Sequence, residues 1–237
     1  MGSNNSIPTI TRSASARNHI ESGKLRLINT PSNLSTSSQE MISRLFTTPW
    51  VYESVLAPTE WLLVFQTDSI FCANSISTVD DFFGFDWVGA PWEIEKQWGG
   101  NGGLSLRRVS CILEVLKHQE RPYDSQPEDL WLSERMAHLP GSNMANGSIA
   151  QQFSGETLYG SPMNVSSGPY MHRLDDWRHG FYEPMGYHIG GSGGFLHSDI
   201  WGHQSQREHI YKYCPEVKMT LPMDLARYVP GECNAEW

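Results

Sequence analysis

Trp61-Leu62-Leu63-Val64-Phe65 is the longest uninterrupted apolar run in the chain. It falls far short of the ~20 residues that span a bilayer. A continuous run of this kind is the pattern of a strand covered on both faces of a parallel or mixed sheet. It therefore predicts a central strand of an α/β fold. Gln66-Thr67-Asp68-Ser69 follows directly. In open α/β sheets, ligands bind beyond the carboxyl ends of strands, so Asp68 is delivered to the place where a site is expected. A carboxylate there can hold a divalent cation, and the cation can neutralise a diphosphate. On position alone it can equally cap the next turn or pair with an arginine.

The other elements are read from shorter signals. Ser37–Phe46 predicts a helix, capped by Ser37 or Ser38, with Met41, Ile42, Leu45 and Phe46 on one face. Phe85–Ala90 predicts a second strand, stopped by Pro91. The glycine-rich turn Gly99-Gly100-Asn101-Gly102-Gly103 leads into Leu104–His118, where Leu106, Val109, Ile112, Leu113 and Leu116 fall near helical spacing. Another helix is expected through Pro127–His138, with Glu128 and Asp129 at its start. Pro140–Pro169 is rich in Gly, Ser, Asn and Pro and predicts a long loop or flap. Ile200–Tyr213 is a short amphipathic stretch. Residues 1–22 read as a flexible arm, Lys24–Asn29 as a short strand, and residues 23–237 as one domain.

Composition narrows the function classes. The formal net charge is −9 and no block of Lys or Arg is present, which argues against nucleic acid as a partner. The chain shows no charged-then-apolar leader and reads as soluble as written. An anchor upstream in a longer precursor and four Asn-x-Ser sequons (Asn4, Asn33, Asn146, Asn164) would both be compatible with a secretory location. The four cysteines form no zinc-type spacing; they can be buried thiols or one or two disulfides. A chain of this size needs no staple, so the expectation is mostly free thiols. Oligomeric state is not readable.

Several residues offer chemistry. The Asn101 amide can read a hydroxyl while the flanking glycines let the backbone approach a sugar or phosphate, although an ordinary tight turn uses the same residues. Glu128 and Asp129 are common cap residues, and one of them can instead act as a general base. His188 can be a neutral metal ligand, but a single His is more often structural. Trp87, Trp92 and Trp98 offer flat faces suited to a sugar; most Trp fill cores.

In order along the chain stand Phe65-Gln66-Thr67-Asp68-Ser69, Phe85-Asp86-Trp87-Val88-Gly89-Ala90-Pro91-Trp92, Gly100-Asn101-Gly102-Gly103-Leu104-Ser105-Leu106-Arg107 and Pro127-Glu128-Asp129. This set resembles a fungal domain family of unknown function grouped with glycosyltransferases of the GT-A type. The resemblance runs from about Leu25 to His188 and implies a GT-A-like mixed sheet flanked by helices. It implies that Asp68 and His188 hold Mn2+ or Mg2+, with Gln66 standing where the usual Asp-x-Asp pair has its first acid. It further implies that Gln66, Thr67, Asn101, Gly102, Gly103 and Trp92 contact substrate, and that Asp129, with Glu128, supplies the catalytic base. The expected partners are a nucleotide-sugar donor and a hydroxyl-bearing acceptor. GT-A domains usually begin with a nucleotide-binding βαβ unit, whereas the stretch before Trp61 offers at most one strand and one helix. That shortfall keeps a second expectation open, a non-catalytic carbohydrate-binding or scaffold protein. A metal-dependent hydrolase using the same carboxylates is a third, separable by donor hydrolysis without acceptor.

Overall fold

The computed structural model describes residues 6–162 and 171–221. The arm expected to be flexible holds two short helices, α1 (Ser6–Ile10) and α2 (Ala14–Glu21), the latter capped by the Ser13 hydroxyl. Neither buries a residue, so tertiary packing adds little to them. Lys24–Asn29 forms no strand. Helix α3 (Gln39–Phe46) begins where expected, with the Ser38 Oγ accepting from the Met41 amide.

Strand β1 (Trp61–Phe65) has the expected bounds, and β2 (Ser69–Phe71) follows the turn that carries Asp68. Strand β3 is Trp87–Gly89 and β4 is Leu104–Arg108. These make one antiparallel sheet in the order β1-β4-β3. The central strand is thus β4. The expectation of a central Trp61–Phe65 strand is corrected: β1 is at the edge, and Phe65 is 71% exposed. The helix expected over Leu104–His118 begins only at Val109, as α4 (Val109–His118). The physical reason lies in Arg107. Leu104 and Leu106 alternate with Ser105 and Arg107, and all four are buried. A buried arginine makes a fully covered strand look amphipathic.

Helix α5 (Glu128–Ala137) matches its expectation. The Pro140–Pro169 stretch does not: it contains α6 (Gly147–Phe153), capped by Asn146 accepting from the Ile149 amide, and β5 (Ser154–Gly155). Residues 163–170 of that stretch lie outside the described part. Strand β6 (Gly186–His188) pairs antiparallel with β2 and parallel with β5, giving a second, mixed sheet in the order β2-β6-β5. Helices α7 (Ser198–Trp201) and α8 (Gln204–Tyr213) are the last α-helices of the described residues, and a 3-10 turn over Pro215–Thr220 follows. The chain is an α/β fold built on two small sheets. Among the described residues no helix is long and apolar enough to cross a membrane.

Three packed groups hold the sheets. Leu45, Ile112, Trp131 and Met136 of α3, α4 and α5 gather with Trp87 on one side of the first sheet. Val88, Leu104 and Leu106 meet Phe82, Phe153 and Met185 on the other. Tyr187, Ile200, Trp201, Ile210 and Tyr213 pack beside the second sheet. Full burial of each large apolar side chain contributes roughly 1.5–3 kcal/mol. Cys72, just past β2, and Cys214, just past α8, form a buried disulfide with Cα atoms 4.6 Å apart. The expectation of mostly free thiols is corrected for this pair, while Cys111 is free and Cys233 lies outside the described residues. The partners are 142 residues apart, and the Pro215–Thr220 turn that follows α8 packs against β2 and brings them together.

Candidate functional site

Asp68 sits on the turn that passes the chain from the first sheet to the second, and it is buried. Its carbonyl accepts from the Ile189 amide at 2.9 Å, and the β2–β6 register sets Ser69 opposite His188. Asp68 and His188, distant in sequence, are thereby neighbours: His188 Nε2 lies 3.6 Å from Asp68 Oδ1.

The glycine turn is stitched onto the same place. The Gly103 carbonyl accepts from the Gln66 amide and the Ser69 hydroxyl, each at 2.8 Å. Asn101 Oδ1 accepts from the Gly103 amide at 2.6 Å, and its Nδ2 donates to Glu156 Oε1 at 3.1 Å. The Gly102 amide donates to Asp129 Oδ2 at 2.9 Å. These glycines are required by close approach. A Cβ on Gly102 would lie 2.5 Å from Arg107 Nη2, and one on Gly103 would lie 2.3 Å from His188 Nε2 and 2.6–2.7 Å from the adjoining ring carbons. Such near-equal distances put that methyl over the imidazole face, where the ring packs on the Gly103 backbone. Gly103→Ala is accordingly expected to lower stability by roughly 1–3 kcal/mol through overpacking and to turn the His188 ring. Chemical denaturation checks the first effect, and the His188 ring signals in a nuclear magnetic resonance spectrum check the second.

Asp129 and Glu128 have parted roles. Both Glu128 oxygens accept from the Arg107 guanidinium, at 2.7 and 2.9 Å, and both side chains are buried. Arg107 also donates to the Gly102 carbonyl at 3.1 Å and lies over the Trp87 ring, 4.2 Å from its centroid. Burial works against the Arg107 charge, but the Glu128 carboxylate outweighs it and holds the guanidinium above its ordinary range. Glu128 is thus engaged in a buried pair beneath the glycine turn, which makes it a support of the turn rather than an acid presented to substrate. Asp129 is half-buried, accepts from the Gly102 and Leu130 amides, and faces an open pocket of about 410 Å³. Trp92, Lys96, Asn101 and Pro127 line the same pocket.

Placement of the other expected residues differs from one to the next. Gln66 and Thr67 are exposed, and Gln66 contributes its amide to the turn. Trp87 is fully buried under Arg107 and donates to the Gly100 carbonyl, which removes it from the candidate sugar faces. Glu156 and Arg107 are site residues that motif reading missed. The signal for Arg107 was its alternation with leucines; Glu156 stood in a stretch read as loop.

His188 lies between two carboxylates, with Nδ1 3.1 Å from Glu156 Oε1 and Nε2 facing Asp68. The distance to Glu156 is short, but the alignment is poor, and both buried ring nitrogens lack a well-formed hydrogen bond; so does Glu156 Oε2. Burial opposes the imidazolium, yet the Glu156 contact and the charges of Glu156, Asp68 and Asp129 outweigh it and raise the His188 pKa. On the Nε2 side of the ring two donors face each other, the imidazole nitrogen and Asp68 Oδ1, both of kinds that divalent cations accept. A nitrogen and an oxygen each bound at about 2.1 Å would stand about 3.0–3.6 Å apart for ordinary ligand angles, and the Asp68–His188 gap falls at the upper end of that range. Among the described residues, no group of three or more His, Cys, Asp or Glu is already arranged around one such point.

No curated protein and no solved structure matches the chain. A family model described as a protein of unknown function (DUF5672) matches residues 24–170, a span that includes Asp68, the glycine turn, Glu128, Asp129 and Glu156 and stops short of His188. That match covers more than half of the sequence, and the chain belongs to the DUF5672 family of proteins of unknown function.

Proposed function

We propose that this chain is a glycosyltransferase of GT-A-like architecture that moves a sugar from a nucleotide-sugar donor to a hydroxyl-bearing acceptor. One observation carries the reading. Asp68, Asn101, Asp129 and His188 arise from separate segments and gather around one glycine turn, with Asn101 and Asp129 lining an open pocket beside it. Structural caps and core histidines have no reason to converge in this way.

In this reading Asp68 and His188 hold a divalent manganese or magnesium ion, which when bound supplies charge that offsets the departing diphosphate. Trp92 presents a flat face to the sugar from the pocket wall, and the Asn101 amide reads a hydroxyl beside it. Lys96, in the same wall, offers the pocket a cation for a phosphate. Asp129 takes the proton of the acceptor hydroxyl as that oxygen bonds to the anomeric carbon. The sugar–diphosphate bond breaks with its electron pair leaving on the diphosphate. The Gly102 and Leu130 amides hold the Asp129 carboxylate in place, with lone pairs left to accept from the acceptor. The buried Cys72–Cys214 disulfide favours an oxidising compartment such as a secretory lumen for this work.

A second reading, a carbohydrate-binding protein without turnover, draws support from one feature. Ahead of β1, the described residues contain helices and no strand, so no βαβ nucleotide unit stands there. Calorimetry with a panel of nucleoside diphosphates, with and without manganese, separates the two. Manganese-dependent binding is the expected result. No affinity for any of them at millimolar concentration would sink the transferase and leave the binding protein.

A further inference from the structure

Glu156 is placed by register rather than by any motif. Strand β5 runs parallel to β6 with Ser154 opposite Gly186 and Gly155 opposite Tyr187, so the next residue, Glu156, comes level with His188. Glu156 is 8% exposed and His188 is 5% exposed. Glu156 Oε1 is 3.1 Å from His188 Nδ1, and on the other edge of the ring Nε2 is 3.6 Å from Asp68 Oδ1.

Geometry divides these two carboxylates. The nitrogens of one imidazole point in different directions, so Asp68 and Glu156 cannot both share a cation with the same nitrogen. A neutral imidazole carries one proton, and ionised carboxylates only accept. The proton therefore belongs with the nearer acceptor, on Nδ1. Asn101 Nδ2 donates to the same Glu156 oxygen, which holds that acceptor against the ring and ties it to the glycine turn. Gly103 packs on the ring face and limits how far the imidazole can turn.

We propose that Glu156 is a positioning residue: it accepts the Nδ1 proton of His188, fixes the ring in one tautomer, and leaves Nε2 bare beside Asp68 for a divalent cation. A ligating histidine held by a carboxylate on its far nitrogen is oriented and made more basic. Here that arrangement brings in a second negative charge where Gln66 stands beside Asp68 without one. The tautomer rests on the shorter of the two distances, 3.1 Å to Glu156 against 3.6 Å to Asp68, with neither nitrogen in a well-aligned hydrogen bond; its use for a cation rests on the function proposed above.

The experiment reads the two separately. Isotope-labelled histidine in the metal-free full chain reports which ring nitrogen of His188 is protonated, measured at a pH where the imidazole is neutral and assigned with His188→Gln. The expected result is a protonated Nδ1 and a bare Nε2. Glu156→Leu is expected to release the proton to Nε2 and to weaken manganese binding about 10–100-fold, whereas Glu156→Gln, whose amide oxygen still accepts, keeps the tautomer with a smaller loss. A bare Nδ1 in the wild-type chain, or an unchanged tautomer in Glu156→Leu, would overturn the assignment. So would manganese affinity in Glu156→Leu equal to that of a wild-type chain that binds it. If the wild-type chain binds no manganese while the proton still moves in Glu156→Leu, the positioning role stands and only the cation reading falls. Should Glu156→Leu fail to fold, the wild-type tautomer and Glu156→Gln decide the matter.

Discussion

Arg107→Met is expected to destabilise the fold by about 3–5 kcal/mol, because it leaves the buried Glu128 carboxylate without its cation. The pair is bidentate, at 2.7 and 2.9 Å, and Arg107 is fully buried at the centre of the first sheet. Desolvation makes each charge costly alone, and their mutual attraction offsets that cost only while both are present. Arg107→Met/Glu128→Leu is therefore expected to recover most of the loss, since similar apolar volume replaces both charges. Urea titration of the two single variants and the double variant forms the cycle that measures the coupling. Equal and additive losses would show that the pair is not coupled. The double variant should still lose manganese affinity, because Arg107 also anchors the Gly102 carbonyl of the turn that holds Asn101.

Asp129→Asn is expected to lower turnover by roughly 10²-fold or more while leaving donor affinity nearly unchanged, as a general base acts chiefly in the transition state. The substitution keeps one acceptor oxygen for the Gly102 or Leu130 amide, both of which Asp129 binds in the native chain. It removes the group proposed to take the acceptor proton. Steady-state kinetics with varied donor, beside calorimetric donor affinity, checks the split. If donor affinity falls as far as turnover does, Asp129 is a strut of the glycine turn and the base lies elsewhere.

Legibility followed the range of the interaction. The α3 boundary was readable because Ser38 caps it locally, and α5 because Pro127 and the two acids mark its start. Strand β1 was readable as a strand, since its five apolar residues are contiguous, but its place was not. Edge or centre depends on which strand pairs on both sides, and that role went to β4. Arg107 concealed β4, for a guanidinium in a strand reads as solvent-facing unless its partner Glu128 is known to be folded against it. Asp68, Asn101, Asp129 and His188 each stand out by residue type and order, while their convergence appears only in the sheet register and the hydrogen bonds of the glycine turn.

What was legible along the chain is local: β1 as a strand, and α3 and α5 with the residues that start them. Those depend on neighbours a few residues away, where propensity, capping and turn chemistry act. Tertiary structure alone decided the pairing of Cys72 with Cys214, the engagement of Glu128 by Arg107, and the arrival of Glu156 beside His188. Each joins groups from separate elements, and each rests on burial that exists only once the sheets and helices have packed. A carboxylate in a loop and one held in a dry site have the same letter in the sequence; what differs is the water removed and the partner supplied in its place.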